Sequence, residues 1–407
     1  MFSLRPYQED LSIKANNVLK RFKIVYLSME VRTGKTLTSL NTASLYGAKN
    51  VLFITKKKAI SSIEHDYNLL KPNYTLTVIN NESLHKIYPK GYDLIISDEH
   101  HRNGAFPKPN QVTKLIKKHY SHLPMIFLSG TPHPESHSQI YHQFWLSDYT
   151  PFKEKTFYKW AANYVNVKDR HLGYAVVKDY SNGIAKLINP IIKPYLITFT
   201  QAEAGFETEV KENVLKVRMQ DLTYKLANTL KKDLYLTSKD GNEVIADTAV
   251  KLMQKLHQIY SGTVLFENGT YRIFDTTKAD FIKDRFKGKR LGIFYKFKAE
   301  YDVLKQVFKD DLTNDLDTFN NGCKHIALQI VSGSEGISLQ NADYLIYYNI
   351  DFSAKNYFQS RDRLTTMQRK SNNVFWIFAE NGIEEKIYNS VLNKKNFTLS
   401  IFKKDFI

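Results

Sequence analysis

Two short clusters in the first hundred residues have the types and spacing needed to handle phosphate. Met29-Glu30-Val31-Arg32-Thr33-Gly34-Lys35-Thr36 follows an apolar β-pattern and opens a helical one, the setting in which a loop wraps phosphates. Backbone N–H groups at a helix N-terminus attract anions. Lys35 can then reach the outer phosphate oxygens, and the Thr36 hydroxyl can hold Mg²⁺. The first glycine of the usual pattern is replaced by Met29, and a chance Gly-Lys-Thr is common, so the loop alone decides nothing. The second cluster shifts the balance. Leu94-Ile95-Ile96-Ser97 runs into Asp98-Glu99-His100-His101, which sets two acids at the C-terminal end of an apolar strand. In an open parallel sheet that end faces the ligand crevice. Asp98 can hold Mg²⁺ through water, and Glu99 can orient and deprotonate an attacking water. A solvated acidic turn is the bland alternative; a phosphate loop upstream in the same βα series argues against it.

Positioning these residues requires parallel sheets covered by helices, and two stretches carry the alternation that builds them. The first spans residues 1–145, with strands expected at Ile24–Ser28, Val51–Thr55, Leu76–Ile79, Leu94–Ser97 and Met125–Ser129. Helical patterns lie between, such as Thr36–Tyr46, closed by Gly47. The second spans 277–407, with strands at Leu291–Tyr295, Ile326–Val331, Tyr344–Asn349 and Val374–Phe378. Its helices are expected at Lys298–Phe308, Ala354–Leu364 and Ile383–Leu392. Residues 146–276 read as an intervening accessory module, with helices at Leu222–Leu234 and Thr248–Tyr260. Asp240-Gly241 and Asn268-Gly269 there mark tight hairpin turns.

The bulk composition narrows the class. Of 407 residues, 58 are Lys or Arg and 41 Asp or Glu, a net charge of +17. Such an excess favours a polyanionic partner, because a basic face recruits phosphate backbones and releases counterions. Lysines scattered for solubility are the alternative. A single cysteine, Cys323, excludes a disulfide framework and a cysteine-based zinc site. No apolar run approaches the ~18–20 residues of a membrane span, and the N-terminus lacks the apolar core of a signal peptide. A soluble, intracellular chain without a membrane partner is expected.

With these residues in view, the chain resembles superfamily-two helicases of the DExH type, and further blocks arrive in that family's order. Leu4-Arg5-Pro6-Tyr7-Gln8 resembles the adenine-reading element, which implies Arg5 and Gln8 as nucleotide contacts beside Arg32, Thr33, Gly34, Lys35 and Thr36. Val51-Leu52-Phe53-Ile54-Thr55-Lys56 resembles the motif whose loop touches nucleic acid, implying Thr55, Lys56 and Lys57. Leu128-Ser129-Gly130-Thr131-Pro132 matches the third motif, implying Ser129, Gly130 and Thr131 in coupling. Gly292-Ile293-Phe294-Tyr295 with Phe297-Lys298-Ala299-Glu300 resembles the fourth. Ser332–Leu339, with Gly336 near the nucleotide, resembles the fifth. Gln359-Ser360-Arg361-Asp362-Arg363-Leu364 resembles the sixth, which implies Gln359 and an arginine finger, Arg363. Each block alone is weak; their order is what carries weight.

The resemblance implies two tandem RecA-like lobes, α/β in class, with ATP and Mg²⁺ bound between them. Leu-Ser-Gly-Thr-Pro, the Gln-x-x-Asp-Arg core and Leu256-His257-Gln258-Ile259-Tyr260-Ser261-Gly262 lean toward the Swi/Snf-like group, in its compact phage-type form. DNA, duplex or branched, is then the expected partner rather than RNA. An RNA helicase and a nucleic-acid scaffold with a decayed ATPase stand as alternatives. A second arginine usual in the sixth motif is Thr366 here, leaving Arg361 and Arg369 as substitutes. His133, His137 and His142 weakly suggest a metal site, which Pro134 and the lack of nearby cysteine argue against. Either hairpin could act as a pin at a strand junction, although most hairpins are only structural.

Overall fold

The computed structural model describes residues 3–87, 89, 91–130, 132–133, 136–171, 176–206, 209–333, 338–364 and 371–393. The chain divides into two units, Met1–Phe206 and Glu207–Ile407.

The first unit is built on a six-stranded sheet in the order Thr75–Asn80, Asn50–Thr55, Leu94–Ser97, Met125–Leu128, Ile24–Met29, Leu196–Phe199. Every pairing is parallel, so all C-terminal strand ends share one edge. The central strands are apolar throughout because helices cover both faces. Side chains alternate accordingly. Val25, Leu27, Val51 and Phe53 pack with Leu11, Leu19 and Leu40 on one face. Ile24, Tyr26, Leu52 and Ile54 pack with Ile116, Phe144 and Trp160 on the other.

The second unit repeats the plan, with strands ordered Leu312–Thr313, His325–Gln329, Leu291–Tyr295, Tyr344–Tyr347, Ser371–Ala379, Glu209–Val217. These pairings are parallel too. Phe294, Leu345, Val374 and Trp376 join Leu230, Leu252 and Leu256 on one face. Ile293, Ala327, Ile346 and Ile377 join Ile282, Val303 and Phe308 on the other.

The accessory module expected at 146–276 is distributed between the two units rather than set apart. Leu196–Phe199 completes the first sheet and Glu209–Val217 the second. Helices Asp221–Asp233 and Ala249–Ile259 pack into the second unit's core. The physical reason is edge closure: both strands cover a flank of a sheet whose inner strands are fully apolar. The two turn signals do form hairpins, Tyr235–Thr237 with Glu243–Ile245 and Thr263–Leu265 with Tyr271–Ile273. They brace each other: Asn268 Nδ2 donates to Asn242 Oδ1 at 2.8 Å, Glu267 N donates to Glu243 O at 3.0 Å, and Arg272 pairs with Asp240. Among the described residues, no helix is long and apolar enough to cross a membrane.

Candidate functional site

The phosphate loop forms where strand Ile24–Met29 gives way to helix Lys35–Tyr46. Arg32 and Gly34 both take left-handed backbone conformations, with φ of 65° and 83°. Alternating handedness of this kind turns successive N–H groups inward as an anion cradle. Met29, standing where the usual pattern has glycine, is the last residue of its strand and is fully buried in the core. It is not among the residues with positive φ, so a side chain there is accommodated. Thr33 is buried, and its hydroxyl donates to Glu30 O at 2.8 Å. Lys35 Nζ donates to Met29 O at 2.9 Å and Glu30 O at 3.0 Å, which sets the ammonium against the inside of its own loop. Thr36 follows it in the first turn of the helix.

Two other segments press on this loop. A Cβ on Gly34 would lie 1.9 Å from Gln8 Nε2, so a side chain there would push the Gln8 amide aside. Gln8 is itself buried, and its Oε1 accepts from Arg5 N at 2.9 Å. Arg5 and Gln8 therefore stand beside the loop from the start of helix Pro6–Phe22. A Cβ on Gly130 would lie 3.4 Å from Met29 O and 3.9 Å from Lys35 Nζ, which brings the third motif against the same lysine. Thr131 lies outside the described residues.

The acidic pair sits on the same sheet edge. Asp98 Oδ2 accepts from Thr55 Oγ1 at 2.8 Å, and Oδ1 accepts from Glu99 N at 2.9 Å. Burial, and then the charge of Glu99, push the Asp98 carboxyl up to about 6, against the Thr55 hydrogen bond and the charge of Lys35. A carboxylate held this way is short of positive charge, which a divalent cation supplies. The donor set of Asp98 and the Thr36 hydroxyl, both oxygen, suits Mg²⁺.

Glu99 is left-handed, φ 47°, and its Oε2 lies 3.3 Å from His101 Nδ1. The same nitrogen is 2.9 Å from Ser129 Oγ. A chain of contacts thus runs from the acidic pair through His101 to the third motif. His100 is structural: it stacks on Phe127 with ring centroids 3.6 Å apart and bonds Ser97 Oγ and Gln143 O, each at 2.9 Å. Burial lowers its pKa to about 3.

In the second unit, helix Ala354–Arg361 carries Gln359 and is followed by the turn Asp362–Leu364. Leu364 is fully buried, and Arg363 O accepts from Leu339 N at 3.1 Å. Arg361 Nη1 is 3.0 Å from Glu212 Oε1. Gly336, Thr366 and Arg369 lie outside the described residues. The fourth motif and the Leu256–Gly262 block meet through buried polar groups. Glu300 Oε2 accepts from Lys296 N and Phe297 N, its Oε1 accepts from Asn349 Nδ2, and Asn349 Oδ1 lies 2.5 Å from His257 Nε2. These residues secure the helix Lys298–Phe308 to the sheet.

With this geometry in place, comparison with known proteins addresses the fold. No protein-family model matches the chain. The Hef helicase domain of Pyrococcus furiosus superposes with a TM-score of 0.52 at 12% identity, over 95% of this chain and 98% of that one. The fold is that of tandem RecA-like lobes. The SWI2/SNF2 ATPase core of Sulfolobus solfataricus, in complex with dsDNA, gives a TM-score of 0.44 at 15% identity over 99% of this chain and 92% of that one. In sequence, the chain is 20% identical over 370 residues to the ISWI chromatin-remodeling complex ATPase ISW1 of Saccharomyces cerevisiae, covering 81% of this chain. It spans about a third of that relative's length, 31%.

The RecA-like lobes give several residues tasks that their motifs did not announce. Thr55, assigned by resemblance to nucleic-acid contact, is fully buried and spends its hydroxyl on Asp98. Of the lysines that follow it, Lys57 is exposed and the Lys56 ammonium nitrogen is buried. Arg361, a candidate for the missing arginine, is taken up by Glu212. The histidines do not converge on a metal. The His133 and His137 rings lie 4.2 Å apart at a tilt of 36°, His142 bonds Ala105 O, and no metal-holding group of three or more occurs among the described residues. Gln201 went unread: its N–H donates to Glu30 Oε2 at 2.7 Å and its Nε2 to Val31 O at 2.9 Å. It braces the phosphate loop from the end of lobe 1, and no motif marks it. His101 had a visible signal, the fourth place of Asp-Glu-x-His.

Proposed function

We propose that the chain is an ATP-driven DNA translocase of helicase superfamily two, Swi/Snf-like, acting on duplex or branched DNA. The observation that carries this reading is the convergence of four sequence-distant elements on one sheet edge. Gln8 and Gly130 press on the Lys35 loop, while Glu99 contacts His101, which meets Ser129. A phosphate site joined in this way to a coupling motif suits a motor better than a static binder. The relative described as a chromatin-remodeling ATPase supports the same activity.

In this reading Lys35 neutralises phosphate charge and the loop N–H groups orient the phosphates. Thr36 and Asp98 would hold Mg²⁺, which supplies charge stabilisation to the phosphoryl group when bound. Glu99 takes a proton from the attacking water, and its contact with His101, which in turn meets Ser129, passes the change to the third motif. Arg363 serves as the arginine finger from lobe 2, by its place in the sixth motif. The exposed Lys57 grips the phosphate backbone, which carries little sequence information. Met29 does not favour a decayed ATPase, because its side chain belongs to the core rather than to the loop.

The test pairs triplex displacement, which reports tracking along duplex, with strand separation on tailed duplexes and forks. Displacement with little unwinding of the tailed duplex is expected. Efficient unwinding without displacement would remove the duplex-translocase reading, and activity on RNA alone would assign the chain to RNA.

A further inference from the structure

One carboxylate in lobe 2 gathers more donors than its place on an edge strand requires. Glu212 lies on strand Glu209–Val217, which begins two residues beyond the division between the lobes. Its Oε2 accepts from Tyr357 Oη at 2.6 Å, Trp376 Nε1 at 3.0 Å and Tyr388 Oη at 3.1 Å. Its Oε1 pairs with Arg361 Nη1 at 3.0 Å. A carboxylate offers about four acceptor sites; here three donors crowd Oε2 and one meets Oε1. The donors come from three separate elements: helix Ala354–Arg361, strand Ser371–Ala379 and helix Glu384–Leu392.

Two donors, Tyr357 and Arg361, are four residues apart and so lie on one face of their helix. Trp376 fixes that face from beneath, stacked on Tyr347 at 3.7 Å and on Tyr357 at 5.1 Å. Glu212 Oε1 thus holds the last residue of the helix, Arg361, immediately before the turn that carries Arg363. The other fixed points of that turn are the buried Leu364 and the bond from Leu339 N to Arg363 O. With both ends of the turn tied, a change at Glu212 shifts the helix end and hence Arg363.

We propose that Glu212 is the positioning residue for the arginine-bearing turn of lobe 2, setting Arg363 through Arg361 without itself touching nucleotide. This rests on the reading of Arg363 as the arginine finger. Strand Glu209–Val217, which carries Glu212, is joined to Ser371–Ala379 over nine paired positions, a rigid platform for the carboxylate.

The experiment is a double-mutant cycle on the full chain, reading duplex-stimulated ATP turnover and the KM for ATP, with hydrogen exchange over residues 354–364. Glu212→Gln removes the charge facing Arg361 and should lower kcat about tenfold, the size of a charge-assisted hydrogen bond, with KM changed less than about twofold. Exchange in the helix should speed at least as much. Combined with Arg363→Ala, it should add almost nothing, since both act on one group. Additive losses, or wild-type kcat in Glu212→Gln, would overturn the proposal. Should Glu212→Gln fail to fold, Tyr357→Phe, which removes one donor, carries the same cycle with a loss of about threefold. A wild-type chain without nucleic-acid-dependent turnover would instead defeat the functional reading, while the exchange arm still reports whether Glu212 holds the helix.

Discussion

Asp98 is asked to be ionised for a cation while its surroundings favour the proton. Its carboxyl stands near 6 rather than 3.8, chiefly through burial and then through Glu99. The folded state therefore binds this proton more tightly than the unfolded one. The stability it contributes is present in acid and is lost as the pH rises from about 4 through about 6. Asp98→Asn should raise the melting temperature at pH 8 by roughly 2–4 °C, as expected for ~1 kcal/mol in a lobe of this size, and the gain should vanish toward pH 4. A gain that grew in acid would contradict the environment assigned to Asp98. The same residues separate binding from chemistry. Lys35→Ala should weaken ATP binding and abolish turnover, whereas Glu99→Gln should bind ATP normally and not hydrolyse it. Nucleotide binding followed by fluorescence beside a phosphate-release assay distinguishes them. Arg363→Ala should keep ATP affinity and lose at least about a hundredfold in turnover, because arginine fingers are worth on the order of 10³–10⁵.

Elements place these residues to within a few ångströms, and Gly34 is where that tolerance is smallest. Gly34→Ala meets two obstacles, a left-handed φ of 83° and a Cβ 1.9 Å from Gln8 Nε2. The first costs about 1–2 kcal/mol; the second displaces Gln8 from the loop. Thermal melting with and without ATP should show a lower transition and a smaller nucleotide-induced rise, and an unchanged pair of curves would mean the loop does not need this turn. Much of this architecture was legible in the sequence. Leu94–Ser97 and Leu291–Tyr295 have the expected bounds, because doubly covered strands are apolar runs with sharp ends. Of the edge strands, Thr75–Asn80 was legible as Leu76–Ile79, but those that close the far flank of each sheet were not. Glu209–Val217 mixes charged residues with aliphatic ones, a half-exposed pattern that alternates too loosely to announce a strand. The strand expected at Ile326–Val331 ends at Gln329, since Ile330–Gly333 leaves the sheet as a helical turn that apolarity alone does not distinguish. The contacts of Thr55 with Asp98 and of Gln201 with the phosphate loop join residues 43 and about 170 positions apart. Only the folded sheet brings them together.

Across the whole molecule, buried neutral histidines set the response to acid. Burial holds His100 near 3, His142 and His325 near 4, and His257 well below its ordinary value. Each stays neutral in the fold and takes a proton only when unfolded, so stability present above pH 6.5 is lost as the pH falls. Burial also lowers His133 and His137, while Asp98, Glu300 and Asp66, raised by burial, act in the opposite direction. Melting temperatures should decline steadily below about pH 6.5; a flat or rising profile there would contradict the burial of these rings. The net charge of +17 adds a second global property, since backbone grip releases counterions and stimulation by DNA should fall steeply between ~50 and ~200 mM salt. The salt dependence rests on ATP hydrolysis being coupled to DNA. The most direct measurement is the steady-state ATP turnover of the full chain at low salt, with and without duplex DNA, beside Glu99→Gln. The account predicts turnover that rises many-fold with duplex and is absent in the variant. Turnover indifferent to nucleic acid, or equal in Glu99→Gln, would contradict it.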